Sequence, residues 1–107
     1  MAVAEISVSE LKRRLDAGET LQIVDVREPW EVAIVALPGS TRIPLQQLPS
    51  RLKELRAGEP IVAMCKSGAR SRRAAQFLQS AGFQDVVNLS GGIDAWIQDV
   101  DPSLPGY

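Results

Sequence analysis

Histidine is missing from this 107-residue sequence, and cysteine occurs only once, at position 65. Without histidine the chain cannot build a Ser-His-Asp triad, a Cys-His dyad or a histidine-based metal site. With a single cysteine it can form neither an internal disulfide nor a cysteine-rich zinc site. A lone thiol suits a reducing compartment, so we expect a cytoplasmic protein.

Net charge and long apolar runs are also scarce. The 12 Lys and Arg residues offset 13 Asp and Glu residues, which leaves a net charge of −1 and no overall reason to expect binding to nucleic acid or a membrane surface. No apolar run approaches the roughly 18 residues of a membrane span, and the start of the chain lacks the features of a signal peptide. The length and a 45% hydrophobic content instead predict one globular domain over residues 1–107.

Helix and strand signals alternate along the chain. Short apolar or β-branched runs predict strands at residues 21–26, 41–43, 61–64 and 86–89. Helix-start residues and apolar residues at helical spacing predict helices that contain Leu11 and Leu15, Pro29, Leu48 and Leu55, Ala74 and Leu78, and Ile93 and Trp96. This alternation predicts a three-layer α/β sandwich. The continuous apolar run at 61–64 is typical of a strand buried on both faces of a parallel sheet.

The leucine-rich segment after the second predicted strand is assigned to one helix, which begins at Pro49 and ends near Gly58. Aromatic residues make up only 5% of the chain. Most of them are predicted to pack in the core: Trp30, Phe77, Phe83 and Trp96.

Basic residues are concentrated in one short stretch. Lys66, Arg70, Arg72 and Arg73 fall within eight residues that contain no acidic residue. The stretch opens a predicted helix, whose N-terminus already carries positive partial charge and disfavours cations. A solvated helix start is the simplest interpretation, but four cations at this place indicate that an anion binds nearby.

The same stretch follows Cys65, which comes directly after the buried strand predicted at 61–64. Ligands bind beyond the carboxyl ends of the strands in an open parallel sheet. A loop that joins such a strand to a helix can point successive N–H groups at one centre, and Gly68 permits the backbone angles this needs. The Cys65 sulfur would lie in a ring of amide donors that favours a thiolate or a persulfide. On its own, a cysteine in this position is more commonly a small buried hydrophobic residue.

Four segments together resemble a rhodanese domain. Val24–Glu31 resembles the family's D-V-R-E-x-x-E stretch, Leu37–Pro44 its I-P-G-A…I-P stretch, and Leu89–Trp96 its L-x-G-G-x-x-x-W ending. The fourth segment, Cys65–Arg70, matches the family's six-residue C-x-x-G-x-R active-site loop. The four segments occur in the family's order and spacing and cover nearly the whole chain.

The resemblance implies a rhodanese three-layer sandwich, with a five-stranded parallel sheet flanked by helices. It also implies that Cys65 takes a sulfane sulfur from thiosulfate or a persulfide donor, carries it as a persulfide and passes it to cyanide, a thiol or a sulfur-carrier protein. Such chemistry needs no metal and no cofactor. The substrate-binding loop would consist of Lys66, Ser67, Gly68, Ala69 and Arg70, with Arg70 and Lys66 attracting an anionic donor. Asp25 and Arg27 would form a structural ion pair near the site.

The end of the chain carries a finer resemblance. Gly91–Trp96, Val100–Pro105 and Tyr107 resemble the C-terminal rhodanese domain of adenylyltransferase/sulfurtransferases, which serve molybdopterin and thiamine synthesis. This resemblance implies a ubiquitin-like sulfur-carrier protein or an adenylyltransferase as a partner. The chain has no glycine-rich nucleotide loop of its own.

Two alternative functions stay open at this stage. Phosphatases and arsenate reductases of the same fold use a loop one residue longer, which fits a tetrahedral oxyanion better than the Cys65–Arg70 loop does. A non-catalytic interaction module is the other alternative, although inactive members of the family usually lack the cysteine. A gain of one sulfur mass on Cys65 after treatment with thiosulfate would distinguish catalysis from a module.

Overall fold

One parallel sheet organises the protein, and the computed structural model describes it over residues 2–107. Its five strands in this range are β1 (Ala4–Ile6), β2 (Gln22–Asp25), β3 (Thr41–Arg42), β4 (Ile61–Met64) and β5 (Val86–Leu89). Their order across the sheet is β1-β5-β4-β2-β3, and every pairing is parallel. The predicted α/β class with a five-stranded parallel sheet is therefore confirmed. Sequence patterns located four of these strands and missed β1, which has three residues and two exposed side chains.

Helices lie on both faces of this sheet. Within residues 2–107 they are α1 (Val8–Asp16), α2 (Pro29–Ile34), α3 (Ala69–Ser80) and α4 (Gly92–Asp99). Each contains the residues that the sequence predicts for it. The Ser7 hydroxyl caps α1 by accepting from the Glu10 amide at 3.0 Å, and Pro29 is the first residue of α2. No helix in the described range has the length and apolar character needed to cross a membrane.

The single helix predicted from Pro49 to near Gly58 is wrong. The segment instead forms two short 3₁₀ helices, Leu45–Ser50 and Leu52–Glu54. Pro49 lies inside the first one, where its missing N–H and its ring prevent continuous i to i−4 hydrogen bonding. The bonds present span three residues, as between the Arg51 amide and the Leu48 carbonyl at 3.1 Å.

Two hydrophobic clusters pack against opposite faces of the sheet, and β4 contributes to both. Ile61 and Ala63 belong to the cluster under α3, whereas Val62 and Met64 belong to the cluster that contains α1 and α4 residues. Side chains alternate across a strand, so the continuous apolar run serves two cores at once. The sheet is therefore covered on both sides, as a three-layer sandwich requires.

The aromatic residues divide between core and surface. Trp96 is buried, and Phe77 and Phe83 pack partly buried against the α3 side. The prediction for Trp30 is wrong, because its side chain is 63% exposed. Trp30 lies on the outer face of α2 and meets the ring of Tyr107 edge-on, with 5.9 Å between ring centroids.

Candidate active site

Cys65 directly follows the carboxyl end of β4, the central strand of the sheet. It lies four residues before α3, which begins at Ala69. Gly68 connects loop and helix with a φ of +109°, a left-handed value that glycine adopts without strain. The amides at the start of α4 hold the loop from the other side. The Cys65 carbonyl accepts from the Ile93 amide at 2.9 Å, and the Lys66 carbonyl accepts from the Asp94 amide at 3.1 Å.

The loop surrounds the Cys65 sulfur with hydrogen-bond donors. Sγ accepts from the Gly68 amide at 3.1 Å, the Ser71 amide at 3.4 Å and the Ser71 hydroxyl at 3.3 Å. The residue is 1% exposed. Of the other predicted loop members, Ser67 and Ala69 are exposed and Gly68 is buried. The loop therefore brings backbone donors, rather than charged side chains, to the sulfur.

These donors change the acidity of the thiol. Burial raises the pKa of Cys65, because it removes water from a thiolate. Hydrogen bonds from the Ser71 hydroxyl and from the amides of Ser71, Gly68 and Ser67 outweigh burial, so the net pKa lies below its ordinary value of 9.0. The thiolate is thus stabilised without a neighbouring base, which matters in a chain that has no histidine.

A buried polar chain supports this ring from behind, and sequence reasoning missed it. Asn88 on β5 is fully buried. Its amide group donates to the Gly68 carbonyl at 3.0 Å and to the Glu5 carboxylate at 3.1 Å. Its carbonyl oxygen lies 2.5 Å from the Ser71 hydroxyl, whose single hydrogen goes either to this oxygen or to Sγ. The only signal for this polar chain in the sequence was Asn88 itself, a polar residue inside an apolar strand. A polar side chain buried there requires hydrogen-bond partners.

Arg70 does not face the sulfur with a free guanidinium group. Its two terminal nitrogens bind the two carboxylate oxygens of Glu31 at 2.6 and 2.9 Å. Glu31 is 3% exposed and also accepts from the Tyr107 hydroxyl at 2.6 Å. The hydrogen bond from Arg70 is the main reason that the pKa of Glu31 is lowered to about 2, against the opposing effect of burial. The pKa of Arg70 is raised by the same contact.

Lys66 is paired as well. Its Nζ donates to both carboxylate oxygens of Asp94, at 3.1 and 2.9 Å, and lies 4.8 Å from the centre of the Tyr107 ring. Sequence reasoning expected Lys66 and Arg70 to attract an anion, and it identified neither Asp94 nor Glu31 as their partners. Both partners are distant along the chain and become neighbours only when the sheet assembles.

Asp25 and Arg27 form a buried ion pair at the end of β2. Arg27 binds both carboxylate oxygens, at 3.0 and 2.7 Å, and the side chains of both residues are fully buried. Arg27 also donates to the Val35 carbonyl at 2.7 Å and to the Tyr107 hydroxyl at 3.0 Å. This network connects the Asp25–Arg27 ion pair to Tyr107 and, through the Tyr107 hydroxyl, to Glu31, which binds Arg70. Tyr107 is therefore part of the wall of the site.

No group of three or more His, Cys, Asp or Glu side chains within residues 2–107 is arranged to hold a metal ion. The carboxylates near the loop are each engaged with a cation. What the arrangement can do chemically is stabilise one negatively charged sulfur on a buried cysteine.

Comparisons with known proteins show the family to which the chain belongs. Residues 7–99 match the family model described as Rhodanese-like domain. A sulfurtransferase from Allochromatium vinosum is 38% identical, over 88% of each chain. An adenylyltransferase and sulfurtransferase from Zea mays is 37% identical over 97% of this chain. The chain spans only 38% of the length of one plant relative and 23% of the length of the Zea mays relative.

A solved structure matches over the whole fold. The rhodanese-like domain protein from Staphylococcus aureus superposes with a TM-score of 0.85 and 32% sequence identity, covering 98% of this chain and 99% of that one. The two proteins therefore share one fold over nearly the whole of both chains.

Proposed function

Because the chain belongs to the rhodanese-like domain family, we propose that it is a sulfurtransferase that carries a sulfane sulfur as a persulfide on Cys65. The donor is thiosulfate or a persulfide, and the acceptor is cyanide, a thiol or a sulfur-carrier protein. Relatives named as sulfurtransferases support the general role. The observation that carries the proposal is the ring of donors from Gly68 and Ser71 around Sγ.

The reaction divides into two displacements at sulfur. In the first, the Cys65 thiolate attacks the outer sulfur of the donor, the donor S–S bond breaks, and sulfite leaves when the donor is thiosulfate. In the second, the acceptor attacks the outer sulfur of the persulfide and Cys65 leaves as a thiolate. Neither step requires a general base while the thiol is ionised, so the lowered pKa of Cys65 fits this chemistry.

The loop residues have distinct parts in this proposal. The amides of Ser67, Gly68 and Ser71 stabilise the negative charge on sulfur. Arg70 and Lys66 shape the entrance through their bonds to Glu31 and Asp94. Because Sγ is buried, the narrow terminal sulfur atom of a donor reaches it more readily than a tetrahedral phosphate group does.

A protein acceptor follows from the relatives rather than from the geometry. One relative is named as a putative sulfur carrier protein, and the maize relative joins adenylyltransferase and sulfurtransferase in its name. We therefore propose a ubiquitin-like sulfur carrier, or an adenylyltransferase acting with it, as the partner of this domain.

The test is mass spectrometry of the protein after treatment with thiosulfate and removal of excess donor. We expect a gain of one sulfur atom located on Cys65, which is lost again when cyanide is added with the formation of thiocyanate. The Cys65→Ser variant should show neither event. If the wild-type protein stays unmodified with thiosulfate and with an organic persulfide, the domain is a non-catalytic module and the proposal is wrong.

A further inference from the structure

Each cation of the active-site loop is paired with a carboxylate. Lys66 donates to both carboxylate oxygens of Asp94 and lies over the Tyr107 ring. Arg70 makes a two-pronged contact with Glu31. An ammonium or guanidinium group held in this way is directed at its carboxylate, and its field on other groups is largely cancelled.

The neighbouring charges follow the same pattern. Arg27 is matched by Asp25, and Arg72 on α3 is matched by Glu5 at 3.0 Å. Of the basic stretch, Arg73 alone has no ion-pair partner within residues 2–107, and it is exposed. The two cations of the loop itself, Lys66 and Arg70, are therefore each balanced by one carboxylate.

The ring around Sγ is suited to one negative charge. Its donors are amides and a hydroxyl, which stabilise a thiolate or a persulfide anion. A donor that carries two negative charges must approach this thiolate while the two cations of the loop, Lys66 and Arg70, are each held by a carboxylate. A donor with at most one negative charge is repelled less.

From this arrangement we infer that Asp94 and Glu31 are specificity-determining residues, which neutralise Lys66 and Arg70 and so favour singly charged organic persulfides over the thiosulfate dianion as donors. The inference rests on the proposed sulfurtransferase function and selects between its two donor classes. Asp94 and Glu31 do not touch the reacting sulfur in the structure. They act through the cations that they hold.

Both donors give the same product by balanced steps. An organic persulfide anion, R–S–S⁻, transfers its outer sulfur to the Cys65 thiolate and leaves as the thiolate R–S⁻. Thiosulfate transfers its outer sulfur to the same thiolate and leaves as sulfite, which carries two negative charges. The two reactions differ at the entrance only in the charge and size of the donor.

The Asp94→Asn variant tests the inference directly, because it keeps the size of the side chain and exposes the charge of Lys66. The assay measures kcat/KM for persulfide formation on Cys65, with thiosulfate and with 2-hydroxyethyl persulfide, whose organic part is uncharged. One exposed cation at the entrance should raise the rate by roughly threefold for each negative charge on the donor at low salt. We therefore expect about a tenfold gain with thiosulfate and about a threefold gain with the persulfide.

Two further variants separate local charge from net charge. Asp99→Asn removes one carboxylate from an exposed position on the same helix, so it matches the change in net charge, and it should leave both rates within about twofold of wild type. Adding Lys66→Gln to Asp94→Asn should remove the gain with thiosulfate. A gain with Asp99→Asn equal to that with Asp94→Asn would overturn the inference.

The outcomes distinguish this inference from the proposed function. If the wild-type protein is not loaded by either donor, the sulfurtransferase proposal fails and the inference fails with it. If loading occurs but Asp94→Asn leaves the ratio of the two rates unchanged, only the inference is wrong. Wild-type protein provides a check that does not depend on any variant. Its rate with thiosulfate should rise with ionic strength, because salt screens the repulsion between the thiolate and the dianion, whereas a steep fall with added salt would show uncompensated cations and overturn the inference.

Discussion

Gly92 is the position where a single added methyl group should damage the active-site loop most. It has a φ of +58°, and a Cβ atom built there would lie 2.5 Å from the Lys66 carbonyl oxygen and 2.6 Å from the Lys66 carbonyl carbon. These are backbone atoms, so the clash cannot be relieved by rotating a side chain. The loop or the start of α4 must move.

The magnitude follows from what Gly92→Ala disturbs. A left-handed conformation costs an alanine about 1–2 kcal/mol. Moving the active-site loop away from α4 weakens two hydrogen bonds, from the Ile93 amide to the Cys65 carbonyl and from the Asp94 amide to the Lys66 carbonyl. The loss of each costs about 1 kcal/mol of stability. The total is about 3–4 kcal/mol, which is a large part of the roughly 5–15 kcal/mol that stabilises an ordinary domain.

Urea unfolding measures the loss of stability, and alkylation of Cys65 by iodoacetamide at neutral pH measures the damage to the ring of donors. Gly82→Ala is the matched control, because Gly82 also has a positive φ, +103°, but an added Cβ there would meet no atom of residues 2–107 within 4 Å. The Gly82→Ala variant should lose only the stability that the left-handed conformation costs, about 1–2 kcal/mol. Its Cys65 should be alkylated at the wild-type rate. Equal losses of stability in the two variants, with equal alkylation rates, would refute the reasoning.

Three further predictions concern the side chains around the sulfur. Ser71→Ala removes one donor to Sγ and should raise the pKa of Cys65, so that the pH profile of alkylation shifts to higher pH and the rate at pH 7 falls by about threefold to tenfold. The pKa of Glu31 is held at about 2 by Arg70, against an ordinary 4.5, so its contribution to stability is present above pH 4.5 and is lost as the pH falls towards 2. Urea unfolding of wild type and Glu31→Gln should therefore differ most at neutral pH and converge in acid, and a constant difference would contradict this account. Arg27→Met leaves a buried carboxylate unpaired and should cost about 3–5 kcal/mol in the same measurement, whereas a neutral result would show that this ion pair does not stabilise the fold.

Local sequence signals predicted the loop because its determinants lie next to one another. The apolar run at 61–64 forms β4, and Gly68 allows the backbone to turn into α3. Cys65 lies between them, so amide donors reach its sulfur through contacts of six residues or fewer. No distant part of the chain had to be known to predict this ring.

The supporting side chains could not be predicted in the same way. Asn88 reaches the loop from β5 and Glu5 reaches Asn88 from β1. Their meeting depends on β5 lying between β1 and β4 in the sheet. Trp30 was misplaced for a related reason, because its apolar character predicts burial while the orientation of the short helix α2 turns Glu31 inward and Trp30 outward.

The sequence alone determined the alternation of strands and helices and the place of Cys65, the candidate nucleophile, because hydrophobic periodicity and glycine positions act over a few residues. Only the tertiary structure decided the electrostatic character of the site. Arg70 meets a carboxylate 39 residues away, and Lys66 meets one 28 residues away. Two cations of a basic stretch are thus paired with carboxylates, because parallel strands bring the ends of β2, β4 and β5 to one edge of the sheet.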